Sequence, residues 1–215
     1  MNKAPMFLAA LVLGSFAVAG VSLVAVTHAF MDERILDNAR LAMQRKLASI
    51  VPEGQYDNDP LKDRILVSSP ELLGTNQTQV YRVRQGDRPV ALILNPVVPN
   101  GYAGPIELLV SVLRDGTIGG VRVLSHHETP GLGDQIEEAK SDWILSFDGK
   151  SLDHPPAERW AVKRDGGVFD QFTGATITPR AIVAAVKNTL VFVRAHGDEL
   201  YLAPALAEVS GKGRS

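Results

Sequence analysis

Residues Ile106–Ser125 read IELLVSVLRDGTIGGVRVLS, and this stretch decides the fold class. Ile106, Leu108, Val110 and Val112 recur at every second position, the period at which side chains share one face of a strand. Asp115 and Gly116 interrupt the run with the pair that tight hairpin turns favour, and a second β-type run follows from Thr117 to Ser125. An antiparallel hairpin is predicted. Upstream, shorter β-type segments stand at Gln79–Arg84 and Val90–Leu94, separated by Gly86 and Asp87. Downstream, Asp134 precedes an apolar period at Ile136, Ala139, Trp143 and Phe147, with Glu137 as its reciprocal capping partner, which predicts a helix start. Trp160–Val162 and Val168–Phe172 flank the turn Asp165-Gly166-Gly167. Thr178 followed by Pro179 predicts a last helix, capped at Thr178, bearing Ile182, Val183, Val186 and Leu190 on its apolar face and ending near Gly197. Strands mixed with a few helices, without regular β-α alternation, give an α+β domain rather than a doubly wound sheet.

Composition narrows the chemistry. The chain has 215 residues and no cysteine, so disulfides, thiolate zinc sites, iron–sulfur clusters and thiol nucleophiles are excluded. Any redox chemistry must come from a cofactor. With 22 Lys plus Arg against 24 Asp plus Glu, the net charge of −2 gives no electrostatic reason to expect a nucleic-acid partner.

From Met6 to Phe30 the sequence carries no formal charge. As a helix this stretch would measure roughly 37 Å, enough to cross a hydrocarbon core of about 30 Å with some tilt. Ala17, Val18 and Ala19 form an A-x-A-like site and admit a cleaved signal peptide as the rival reading. The apolar stretch runs past that site, however, and its length favours an uncleaved anchor. Lys3 opposes Arg34, Arg40, Arg45 and Lys46 across the span, against the positive-inside rule, but large domains translocate largely regardless of charge. Charge alone leaves the side undecided.

Beyond the span, Ile35, Leu36, Ala39, Met43, Leu47 and Ile50 recur near the helical period and predict a stalk or docking helix over 32–50. Pro52, Glu53, Gly54 and the run Tyr56–Pro60 end it. The expected organisation is a short tail at 1–5, a transmembrane helix at 6–30, a juxtamembrane helix and linker at 31–60, one folded domain at 61–203 and a flexible tail at 204–215.

Three stretches could carry chemistry. The first is Asp170-Gln171-Phe172-Thr173-Gly174-Ala175-Thr176, just ahead of the last helix. A phosphate there would meet unpaired backbone N–H groups and the positive end of the helix dipole, with Gly174 and Ala175 leaving room for close approach. The same threonines also suit a plain turn and cap. The second, His127-Glu128-Thr129-Pro130-Gly131-Leu132-Gly133, reads equally as a Pro-Gly turn between the hairpin and the next helix. The third is Gly101-Tyr102-Ala103-Gly104-Pro105-Ile106, a glycine turn with Tyr102 either packed over it or free for a ligand. His126 and His127 are neighbours on a strand and point to opposite faces, and His154 and His196 lack ligand-like spacing, so no metal site is expected.

The pattern Asp170 to Thr176 resembles the flavinylation motif of bacterial FMN-binding domains, in which the last threonine is joined through its hydroxyl to the phosphate of FMN. The resemblance implies covalent FMN on Thr176, with Asp170, Thr173, Gly174 and Ala175 recognised by a flavin transferase that uses FAD as donor. It implies that Glu128 and Thr129 hydrogen-bond the polar edge of the isoalloxazine ring while Leu132 covers an apolar face. The Gly101–Ile106 segment is similar to the same family's Gly-Tyr-x-Gly-x-Ile entry into a strand. With its N-terminal span and its length, the chain most closely resembles the G-subunit family of Rnf (also called Rsx) ion-translocating electron-transport complexes, related to the C subunit of the sodium-pumping quinone reductase. That resemblance implies a single-pass inner-membrane flavoprotein with its domain on the periplasmic side, bound to membrane lipid and the other subunits. Such a complex couples electron flow between ferredoxin and NAD to ion movement, and no side chain of this subunit acts as acid, base or nucleophile. An anchored ligand-binding or sensor module without covalent flavin is the alternative, and a scaffold subunit a second.

Overall fold

The computed structural model describes residues 4–51 and 54–206; the expectations made for 1–3, for Pro52 and Glu53 and for 207–215 lie outside these. The first helix, α1, runs from Ala4 to Ala48. Where the sequence suggested a span and then a separate helix, a single helix is found, because no proline or glycine stands between Gly20 and Ala48. Its stretch Phe7–His28 has 22 residues, a mean hydropathy of 2.4 and no burial, and is long and apolar enough to cross a membrane. The chain divides into two compact units between Arg45 and Lys46.

In the second unit, β1 (Arg64–Val67), β2 (Thr78–Gln85), β3 (Arg88–Leu94), β4 (Val97–Val98), β5 (Ile106–Leu113) and β6 (Ile118–Ser125) form one sheet, antiparallel throughout. Its order is β1-β2-β3-β5, with β6 on β5 and the short β4 pairing Glu107 and Ile106 beyond the stretch of β5 that β3 occupies. The predicted hairpin is β5–β6. At its turn Asp115 Oδ1 accepts from the Thr117 N–H (2.9 Å) and hydroxyl (2.6 Å), which holds the Asp115 carboxyl below its usual range.

The alternation expected on one face of β5 is only half of the matter, since Leu109 and Ser111 on the other face are buried as well. Residues 46–51 cover that side. Leu47, Ile50 and Val51 are buried, and a side chain on Gly120 would start 3.0 Å from the Ile50 Cβ, so glycine is what lets this segment lie on β6. Lys46 Nζ donates to the Val123 carbonyl (3.2 Å) and Arg122 Nη2 to that of Ser49 (3.2 Å).

The second long helix, α3 (Ile177–Leu202), follows the four-residue α2 (Pro70–Leu73) in chain order. Its Ile182, Val183, Val186 and Leu190 share a core with Ile106, Leu108, Val110 and Val112 of β5 and with Trp143, Phe147, Trp160 and Phe169. Phe192, Leu200 and Tyr201 join Leu73, Val80, Leu92 and Leu94 in a second cluster. The helix therefore passes through Gly197 instead of ending there, because Leu200 and Tyr201 still have apolar surface to bury. The buried Arg82 takes its last carbonyls, with Nη1 directed to those of Leu200 (3.3 Å) and Ala203.

The helix predicted from Asp134 is replaced by two 3-10 segments, Gly133–Ile136 and Asp142–Phe147. Asp134 is no cap: its Oδ1 accepts from Gly131 N–H (2.8 Å). Glu137 faces His126 rather than a helix start, and Ser141 opens the second segment by accepting from Trp143 N–H (3.2 Å). Short turns suffice to drop Ile136, Trp143 and Phe147 into the core, where Trp143 meets Phe147 edge-on at 5.3 Å.

Candidate functional site

The loop ahead of α3 is anchored by Phe172, buried with its ring 5.1 Å from that of Trp143, while Trp143 Nε1 donates to the Asp170 carbonyl (2.8 Å). Phe172 and Ala175 form an isolated antiparallel bridge, with Ala175 N–H to Phe172 O at 3.3 Å. The turn between them needs a positive φ, which Gly174 supplies at 84°. Thr173 and Gly174 are exposed and Ala175 and Thr176 partly so. The Asp170 carboxylate is exposed and pairs with Lys163 at 2.5 Å.

The start of α3 differs from the prediction by two residues. Thr176, not Thr178, is the N-cap, and Pro179 sits in the third position of the helix. Thr176 adopts φ −88° and ψ −21°, and its hydroxyl makes no capping hydrogen bond among the described residues. A threonine cap ordinarily uses that oxygen to satisfy an orphan N–H. Here the Thr176, Ile177 and Thr178 amides open the helix, no acidic side chain stands in its first turn, and the hydroxyl caps none of these amides. Arg180, also in the first turn, is committed to Asp165 through two bonds of 2.5 and 2.8 Å, which hold that carboxyl below its usual range.

Glu128 ties two of the quoted stretches, 127–133 and 101–106, to the first turn of α3. It is only 4% exposed; its Oε2 accepts the Thr178 hydroxyl (2.5 Å) and its Oε1 the Ala103 N–H (3.1 Å). The resemblance implies that Glu128 hydrogen-bonds the polar edge of the ring; in the structure each of its oxygens accepts from a protein donor. A side chain on Gly101 or Gly133 would start 2.9 or 2.6 Å from those oxygens, so a Cβ at either position would force a shift. Behind it, His126 Nδ1 accepts the Glu128 N–H (3.0 Å) and Nε2 lies 3.0 Å from Glu137 Oε1. The ring proton accordingly stands on Nε2.

Thr129 and Leu132 lie on the loop that turns at Pro130-Gly131, where the Thr129 carbonyl accepts from Leu132 and Gly133 N–H, both at 3.1 Å. Thr129 is exposed. Leu132 reaches the other loop: its Cδ2 is 3.4 Å from where a side chain on Gly174 would begin. Tyr102 is 67% exposed, not packed over its glycine turn, and Leu132 and Ile177 are 42% and 48% exposed. Each of the three segments joined by Glu128 thus offers one large apolar side chain to an outside group.

Sequence reasoning found the segments but missed the roles of Thr178, Gly101 and Gly133. The one signal available was a carboxylate flanked by glycines on two different loops. A cavity of about 570 Å³ lies elsewhere, between the β5–β6 turn, Ser151–Asp153 and the last turns of α3. It includes none of the motif residues, and its charges pair internally, Arg114 with Asp198 (2.6 Å) and Arg194 with Asp153 (2.8 Å).

An FMN-binding domain model matches residues 101–191, and a model of the RnfG N-terminal region matches residues 1–50. A Pseudomonas aeruginosa protein, named as the G subunit of the ion-translocating oxidoreductase complex, is 49% identical over 196 residues, 91% of each chain. The protein of the same name from Shewanella loihica is 46% identical over 198 residues, 92% of this chain and 93% of its own. That from Escherichia coli O157:H7 is 43% identical over 196 residues, 91% of this chain and 95% of its own.

Proposed function

The chain belongs to the family of G subunits of ion-translocating oxidoreductase complexes, and from that premise we propose that it is the membrane-anchored flavoprotein subunit of such a complex, carrying FMN on Thr176 through a phosphoester. The observation that carries this reading is the Thr176 hydroxyl, placed at a helix N-cap yet unused by the helix. A phosphodiester at that oxygen retains one negative charge, which the first-turn amides and the helix dipole favour. Gly174 keeps the approach open, and Tyr102, Leu132 and Ile177 offer apolar surface suited to an isoalloxazine ring. Thr129, exposed on the same loop as Leu132, would meet the ring's polar edge.

Flavin accepts one or two electrons, and the chain's part is to fix its position and set its surroundings. In maturation a flavin transferase would read Asp170, Thr173, Gly174 and Ala175 and join FMN from FAD to Thr176 Oγ1, releasing AMP. A covalent tether suits a cofactor held outside the cytoplasm, and we place the domain on the periplasmic face of the inner membrane with Phe7–His28 in lipid. The complex then couples electron transfer between ferredoxin and NAD to ion translocation, with this subunit as a relay that is not catalytic alone.

The test is electron transfer through the assembled complex containing Thr176→Ala. Loss of transfer with assembly retained supports the relay. Intact transfer would mean a scaffold, and a native subunit without bound flavin would mean a ligand-binding module.

A further inference from the structure

We propose that Glu128 and Thr178 form a positioning pair that fixes the seat of the flavin ring; this rests on Thr176 carrying FMN and goes beyond it. The pair lies behind the candidate site, and neither side chain is exposed. Its effect follows from what it joins. Oε1 holds the loop of Tyr102 through the Ala103 N–H, Oε2 holds the first turn of α3 through Thr178, and Glu128 itself begins the loop of Leu132. The exposed apolar side chains that would border the ring are set relative to one another by this one carboxylate.

Burial makes the arrangement demanding. A carboxylate removed from water must keep its donors, and hydrogen bonds to an ionised acceptor are short and strong. Without the Thr178 hydroxyl, Oε2 keeps no donor among the described side chains, and the cheapest relief is for the 128–133 loop to swing toward water. Gly133 and Gly101 close the carboxylate in on two sides, so little smaller adjustment is open to it. The His126 ring, braced by Glu137, holds the Glu128 N–H, so the displacement falls on the loop residues after it. Glu128 and Thr178 are therefore positioning residues acting through Tyr102, Leu132 and Ile177.

The experiment compares the full-length protein with Thr178→Val and Thr178→Ser in detergent, after flavin at Thr176 has been quantified by mass spectrometry. The readouts are visible circular dichroism and fluorescence per attached flavin. Thr178→Val, which keeps shape but removes the donor, is expected to lose most of the native dichroic band and to fluoresce severalfold more brightly, while Thr178→Ser restores both. A Thr178→Val protein with lower thermal stability but a native signature overturns the proposal, as does Thr178→Ser behaving like Thr178→Val. Failure of Thr178→Val to take up flavin assigns the pair to loading and also overturns it. If Thr178→Val does not fold, Gly133→Ala presses on the same carboxylate, and a native signature there is equally contrary. Native protein without flavin removes the functional reading first, and the ring seat with it.

Discussion

The hydroxyl of Thr178, in the first turn of α3, donates to the buried carboxylate of Glu128 at 2.5 Å, across fifty residues of chain. Hydrogen bonds to charged groups contribute roughly 1.5–3 kcal/mol, and leaving a buried carboxylate short of a donor incurs its desolvation. Thr178→Val should lower the unfolding free energy of the second unit by about 2 kcal/mol in a denaturant titration, and Thr178→Ser by far less. Equal losses in the two variants would show that packing, not the hydroxyl, holds the contact.

Gly174 has φ 84°, a conformation that a residue with Cβ adopts at a penalty of roughly 1–2 kcal/mol. Space is not the obstacle, since a methyl there would only touch Leu132 at 3.4 Å. Gly174→Ala is expected to lower stability by about 1 kcal/mol and to reduce flavin attachment, because relieving the strain shifts Ala175 and Thr176. Normal attachment measured by in-gel flavin fluorescence would argue against a conformational demand at this position.

Ile50 is 1% exposed and lies on Gly119 and Gly120 of β6. Truncation of a fully buried isoleucine leaves a cavity and typically costs about 2–5 kcal/mol. Ile50→Ala should therefore lower the melting temperature clearly, as read by circular dichroism, even though the residue lies outside the sheet. A change within error would mean that residues 46–51 only rest on the domain.

Tyr201 is packed at the end of α3, and burial pushes its phenol up to about 12 from the usual 10. The folded state thus holds the phenolic proton more tightly than the unfolded chain. This contribution is complete below pH 10 and is lost as pH rises from 10 towards 12, reaching about 3 kcal/mol at about 1.4 kcal/mol per pH unit. Burial raises Tyr81 in the same direction. Unfolding titrations from pH 9 to 12 should show a steeper alkaline fall for the native chain than for Tyr201→Phe, and parallel curves would refute the assignment.

Local pattern carried the parts of the fold that depend on local pattern. Period-two alternation and the Asp-Gly turn located β5 and β6 to within a residue, and the apolar face of α3 was legible from Ile182 to Leu190. What escaped depended on distant partners. Asp134 and Glu137 have the spacing of a capping box, but Gly131 and His126 claim their side chains and no α-helix forms. Thr178 before Pro179 has the look of a cap, yet Glu128 takes its hydroxyl and the helix starts two residues earlier, at a Thr176 whose side chain makes no capping bond. The candidate site was legible as three motifs; that one buried carboxylate ties two of them to the first turn of α3 is a tertiary fact that the spacing does not show.

The flavin assignment depends on one oxygen, Thr176 Oγ1. Digestion of native full-length protein with trypsin releases the peptide from Asp165 to Arg180, which also contains Thr173 and Thr178. Mass spectrometry with fragmentation should find this peptide heavier by one FMN esterified at Thr176, and Thr176→Ala should abolish the modification. Recovery of the native peptide wholly unmodified, or with the flavin on another threonine, would contradict the account.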